Sequence, residues 1–90
     1  MIKNYSLIIQ GKVQGVFYRN FAQTKAKEIG LNGYAMNKPD GTVYIEVEGE
    51  ETLLEEFIKH CAIGPAKAKV TGIEKQLGVI IGYTDFIIKR

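Results

Sequence analysis

Arg19 closes the run Gly11-Lys12-Val13-Gln14-Gly15-Val16-Phe17-Tyr18-Arg19, and Asn37 stands just before the turn sequence Lys38-Pro39-Asp40-Gly41. The first run places glycines and a lone arginine where a helix is about to begin. Backbone N–H groups at a helix start lack intrahelical partners and sit at the positive end of the helix dipole, so they suit an anion such as phosphate. The guanidinium adds a planar fork of donors matched to phosphate oxygens. A cation at that end of a helix is electrostatically misplaced, which implies that a negative group normally sits between Arg19 and the amides. Read singly, Asn37 is a residue before a turn and Arg19 a surface arginine. Read together, an arginine, a nest of amides and a neutral amide side chain could surround one phosphoryl group.

No side-chain base, acid or nucleophile accompanies them. Cys61 follows Phe57 by four positions on an apolar helical stripe and reads as a small buried hydrophobe. His60 is its neighbour in sequence, but adjacent residues on a helix point apart, and one histidine does not make a metal site. Glu46 and Glu48 share a strand face, as most exposed strand carboxylates do. A site without a base favours a leaving group that departs unprotonated, and a carboxylate, with a conjugate-acid pKa of about 4, does so at neutral pH. The remaining work is to hold the phosphoryl group, neutralise its charge and aim a water in line. Carboxylic–phosphoric mixed anhydrides fit that chemistry.

These residues must be positioned by a small set of elements. Tyr5, Leu7 and Ile9 alternate within Asn4 to Gln10 and predict a strand ending at Gly11. Ala22, Ala26 and Ile29 predict a helix over Asn20 to Ile29, with Asn20 and Gln23 as a capping pair and Gly30 as its stop. Leu31 to Lys38 and Thr42 to Glu48 read as strands of a hairpin turned at Pro39-Asp40-Gly41. In the second of these, Val43, Ile45 and Val47 face a core while Tyr44, Glu46 and Glu48 face water. Leu53, Leu54, Phe57, Ile58 and Cys61 predict a second helix over Thr52 to Ala62, opened by a Thr52–Glu55 capping box. Lys67 to Leu77 and Tyr83 to Lys89 read as two more strands, separated by a turn region from Gly78 to Gly82. The order β-α-β-β-α-β with a terminal extension predicts an α/β (α+β) fold: a ferredoxin-like two-layer sandwich with two helices on one face of a mostly antiparallel sheet.

Ninety residues with 46% hydrophobic content are expected to form one domain over residues 1–90. The net charge of +2 comes from scattered lysines and arginines, and a broad nucleic-acid footprint is not indicated. No apolar stretch approaches the roughly 18 residues of a membrane span, and the start does not read as a secretion signal. A cytoplasmic monomer is the expectation. The single cysteine excludes an intramolecular disulfide and any multi-cysteine metal site.

Two runs resemble the signatures of the acylphosphatase family. The first is Ile9-x-Gly11-x-Val13-Gln14-Gly15-Val16-x-Tyr18-Arg19, with tyrosine where phenylalanine is common before the arginine. The second is Gly33-Tyr34-Ala35-Met36-Asn37-x-x-x-Gly41-x-Val43, with Gly49 beyond it. The resemblance implies a ferredoxin-like sandwich that hydrolyses small acyl phosphates to a carboxylate and inorganic phosphate, with no metal and no cofactor. It implies that Arg19 and the amides of Gln14, Gly15, Val16, Phe17 and Tyr18 bind phosphate and that Asn37 orients the attacking water. Thr42 falls where the family has a hydroxyl near the asparagine.

Other functions are open to this fold, which also hosts RNA-recognition and small-ligand regulatory domains. An RNA-recognition domain needs stacking aromatics on its central strands. Tyr5 and Tyr44 are present, but the ribonucleoprotein pattern is not. A phosphate-sensing relative without activity is a third reading, against which the presence of both Arg19 and Asn37 argues.

Overall fold

A computed structural model describes residues 1–90. The elements run β1 (Ile2–Lys12), α1 (Tyr18–Ile29), β2 (Asn32–Asn37), β3 (Val43–Glu50), α2 (Glu51–Ile63), β4 (Lys69–Gly78) and β5 (Phe86–Lys89). They form one five-stranded sheet in the order β4-β1-β3-β2-β5. All neighbours are antiparallel except β2 and β5. Each helix therefore joins two parallel strands with a third between them, and this is the split arrangement expected from the element order.

The core lies between the sheet and the helices. Leu7, Ile9, Val43, Ile45 and Val47 point from the strands onto Ala22 and Ala26 of α1 and Leu54, Phe57 and Cys61 of α2, all essentially fully buried. α1 meets the sheet through alanines, and α2 through larger side chains. Burying one such Leu or Phe contributes about 1.5–3 kcal/mol.

Three local expectations need correction. Neither helix begins on a side-chain cap: α1 starts two residues before Asn20 with Phe17 as its N-cap, and α2 starts at Glu51 with Glu50 as its N-cap. The Asn20–Gln23 pair and the Thr52–Glu55 box lie inside their helices. The stretch after β4 is no local turn either, because β4 and β5 occupy opposite edges of the sheet. Residues 79–85 must cross four strand spacings, roughly 19 Å, and they do so on the face away from the helices.

Glu48 of β3 explains how that crossing is held, and it is not solvated. The side chain is only 6% exposed. Its carboxylate accepts N–H groups from Ile81, from Gly82 at 3.0 Å and from Tyr83 at 3.1 Å, and the Asn4 side-chain amide at 3.0 Å. Burial alone pushes this carboxyl up, but the Ile81, Asn4, Tyr83 and Gly82 donors outweigh it and hold it below the ordinary value of 4.5. The associated stability is thus complete above about pH 4.5 and is lost as pH falls through the lower folded-state value. Glu48→Gln is expected to destabilise the fold by about 1–3 kcal/mol, because an amide cannot satisfy three N–H donors as a carboxylate does. Urea unfolding near neutral pH checks the magnitude, and a gap between parent and variant that stays constant from pH 7 to roughly pH 3 would refute the charge argument.

Tyr5 and Tyr44 do not form a shared stacking surface. Tyr5 belongs to the core side of β1, whereas Tyr44 stands on the other face with its hydroxyl 3.0 Å from Ser6 Oγ.

Candidate active site

The loop from β1 to α1 has an alternating backbone. Gly15 (φ 74°) and Phe17 (φ 63°) are left-handed, and Val16 between them is not. Alternation of this kind turns successive N–H groups toward one side and makes a concave anion nest. Phe17 is the only non-glycine residue with positive φ, and its side chain is 77% exposed. The left-handed conformation costs roughly 1–2 kcal/mol, and burial of the Phe17 ring does not offset it.

Packing on either side holds the strained residue in place. Val16 and Tyr18 are buried, and the Tyr18 hydroxyl donates to the Cys61 carbonyl at 2.6 Å, tying the first turn of α1 to the last turn of α2. Burial pushes the Tyr18 phenol far above its ordinary value, so it stays protonated as a donor. From Gln14 to Asn20 no backbone N–H donates to an acceptor within the protein. A helix start with neither side-chain cap nor acidic residue in its first turn is ready to take an outside anion.

Arg19 is the second residue of α1, and its Nη1 donates to the Lys89 carbonyl of β5 at 3.2 Å. Gln23 and Lys27 follow at intervals of four. Gln23 Nε2 donates to the Phe86 carbonyl at 2.9 Å, and Lys27 pairs with Asp85 at 3.7 Å. One polar stripe of α1 is thereby stitched to the edge strand, and Arg19 sits at its end. One guanidinium nitrogen is engaged, and the rest of the fork remains free to donate.

Asn37 is the last residue of β2. Its Oδ1 is the only buried side-chain polar atom without a hydrogen-bond partner. Leaving such an acceptor unmet costs about 1–3 kcal/mol. Arg19 and Asn37 line one cavity of about 440 Å³ together with Gly15, Phe17 and Tyr18, a volume within the usual range for small-molecule sites. Val13, Asn20 and Arg90 complete its wall.

Gln14 connects the two halves. Its Nε2 donates to the Lys38 carbonyl at 2.8 Å and the Thr42 carbonyl at 2.9 Å, reaching from the nest to the hairpin turn that follows Asn37. Thr42 gives its hydroxyl to Asp40 at 2.7 Å, not to Asn37, and its N–H to the same carboxylate at 3.0 Å. These hydrogen bonds hold the Asp40 carboxyl below its ordinary value and close the turn. Thr42 thus acts on Asn37 only through the hairpin.

No carboxylate, imidazole or thiol side chain lines the cavity. Cys61 is fully buried on α2, and burial pushes its thiol up to about 12. No three His, Cys, Asp or Glu side chains converge to hold a metal ion, and no helix is long and apolar enough to cross a membrane. Nothing in the sequence marks Arg90 as a neighbour of this cavity or the Gln14 side-chain amide as a bridge. The polar spacing of Arg19, Gln23 and Lys27 was the signal for an edge strand beside α1.

Comparison with known proteins agrees with the two signature runs. Residues 5–88 match the model of the acylphosphatase family. An acylphosphatase of Thermus thermophilus is 48% identical over 79 residues, covering 88% of this chain and 90% of the relative. One from Thermotoga maritima is 41% identical over 88 residues, covering 98% of each. The crystal structure of acylphosphatase from Bacillus subtilis superposes with a TM-score of 0.96 at 35% identity over the whole of both chains. With the matched residues taking in both signature runs, and relatives covered over nearly their whole length, the chain belongs to the acylphosphatase family.

Proposed function

We propose that this chain is an acylphosphatase that hydrolyses the carboxyl–phosphate bond of acyl phosphates, releasing a carboxylate and inorganic phosphate, and that residues 1–90 do so as a single domain and a monomer. The observation that carries the reading is the meeting, in one cavity, of a loop whose N–H groups have no protein acceptors, Arg19 and Asn37. The nest from Gln14 to Tyr18 and the Arg19 fork hold the phosphoryl oxygens and offset their charge. The Asn37 side chain holds a water by hydrogen bonding and aims its oxygen at phosphorus.

The water oxygen bonds to phosphorus as the bond from phosphorus to the acyl oxygen breaks. The bonding pair leaves with the carboxylate, and the water proton passes to a phosphate oxygen. With no side-chain base in the cavity, the substrate's own phosphate is the proton acceptor in this scheme. Catalysis is then positioning plus electrostatics, which suffices for a leaving group of low basicity.

Steady-state hydrolysis of benzoyl phosphate tests the reading. Turnover is expected to be inhibited competitively by inorganic phosphate and to be the same before and after dialysis against a chelator. A chain that fails to hydrolyse benzoyl phosphate contradicts the proposed activity, and activity lost to the chelator contradicts the metal-free scheme.

A further inference from the structure

Gln14 lies between Val13, which is buried in the core, and Gly15, the first left-handed residue of the nest. Its Nε2 donates to the Lys38 carbonyl at 2.8 Å and the Thr42 carbonyl at 2.9 Å. Lys38 directly follows Asn37, and Thr42 directly precedes Val43, the residue opposite Asn37 in the β2–β3 register. One side chain therefore grips the hairpin on both sides of the pair that carries Asn37.

Both carbonyls also accept a backbone N–H of the turn, from Gly41 at 3.1 Å and from Lys38 at 2.9 Å. A carbonyl has two lone pairs, so Gln14 takes the second on each and leaves the turn intact. Two acceptors at one end of the side chain identify that end as the NH2 group, because the amide oxygen cannot donate. Both of its N–H bonds are used. No other hydrogen bond joins residues 13–17 to residues 37–43.

In the proposed reaction the nest holds the phosphorus and Asn37 the water, on two separate pieces of chain. Their spacing sets the in-line approach, and a displacement of about 1 Å can cost about a hundredfold in rate. Building on the acyl phosphate reading, we infer that the Gln14 side chain is a positioning residue that sets the water held by Asn37 in line with the phosphorus held by the nest. The Gln14 backbone N–H, which belongs to the nest, survives substitution of the side chain.

The test measures kcat for benzoyl phosphate and the inhibition constant of inorganic phosphate in the parent, Gln14→Met, Gln14→Ala and Asn37→Ala, and in each Gln14 variant combined with Asn37→Ala. Methionine keeps the length of the side chain and loses both donors, and alanine removes the reach as well. Either substitution alone is expected to lower kcat about ten- to a hundredfold, with the phosphate inhibition constant within about twofold of the parent. Added to Asn37→Ala, the same substitution is expected to change kcat by less than about threefold, because no held water is left to aim. An equal factor in both backgrounds, a parallel rise in the phosphate inhibition constant or an unchanged kcat in the single variants overturns the inference and leaves the acylphosphatase reading intact. Failure of both Gln14 variants to fold makes the side chain a structural one and overturns it equally. Failure of the parent to hydrolyse benzoyl phosphate overturns both.

Discussion

Arg19→Ala is expected to lower kcat/KM for benzoyl phosphate about a thousandfold and to weaken inhibition by inorganic phosphate in parallel. Removing one preorganised donor from a developing oxyanion costs about 10²–10³ in rate, and a guanidinium on a transferring phosphoryl group contributes about 10³–10⁵. Arg19 supplies charge and fork together, so its loss belongs near the overlap of those ranges. Arg19→Lys keeps the charge without the fork and should fall between parent and alanine.

The same substitution should leave the fold nearly as stable as before. Taking a cation from the positive end of α1 contributes about 0.3–1 kcal/mol, which offsets the exposed hydrogen bond to Lys89, worth about 0.5–1.5 kcal/mol. Urea unfolding beside the kinetics separates the two effects. A large loss of stability would mean that Arg19 holds β5 in place more than it serves a ligand.

Asn37→Ala is expected to reduce kcat about 10²–10³-fold while the inhibition constant for inorganic phosphate stays within about twofold of the parent. The separation follows from geometry: the nest and Arg19 lie on the loop and α1, whereas Asn37 ends β2 and meets the cavity from the hairpin. Deleting an acceptor with no protein partner also removes a burial cost, so the variant should be no less stable than the parent. Residual turnover at the parental rate would remove Asn37 from the mechanism.

Much of this site could be read from residue types alone. Gly15 next to a strand end, Arg19 at a helix start and Asn37 before Pro39-Asp40-Gly41 each follow local rules that side chains announce. The left-handed Phe17 does not announce itself, because nothing in a phenylalanine favours positive φ and the conformation is imposed by buried Val16 and Tyr18 beside it. Both helices start earlier than capping rules predict, for a related reason. Capping rules look for side chains, and neither helix uses one.

Glu48 shows a different limit. Alternation along β3 correctly puts Val43, Ile45 and Val47 on the core side, but it says nothing of a segment from beyond β4 that covers the other face. The same crossing carries β5 to the far edge, so the Lys89 carbonyl meets Arg19 and Arg90 reaches the cavity wall through a contact between distant parts of the chain. The family resemblance points to the backbone amide of Gln14, while its side chain ties nest to hairpin. A single sequence shows which residues could bind, and long-range packing decides which of them meet.

The most direct test of the account is hydrolysis of benzoyl phosphate in water labelled with heavy oxygen, followed by mass analysis of both products. Attack at phosphorus by a water held at Asn37 predicts one labelled oxygen in the inorganic phosphate and none in the benzoate. Label in the benzoate would place the attack at the carbonyl carbon and contradict the assigned roles of Asn37 and the nest.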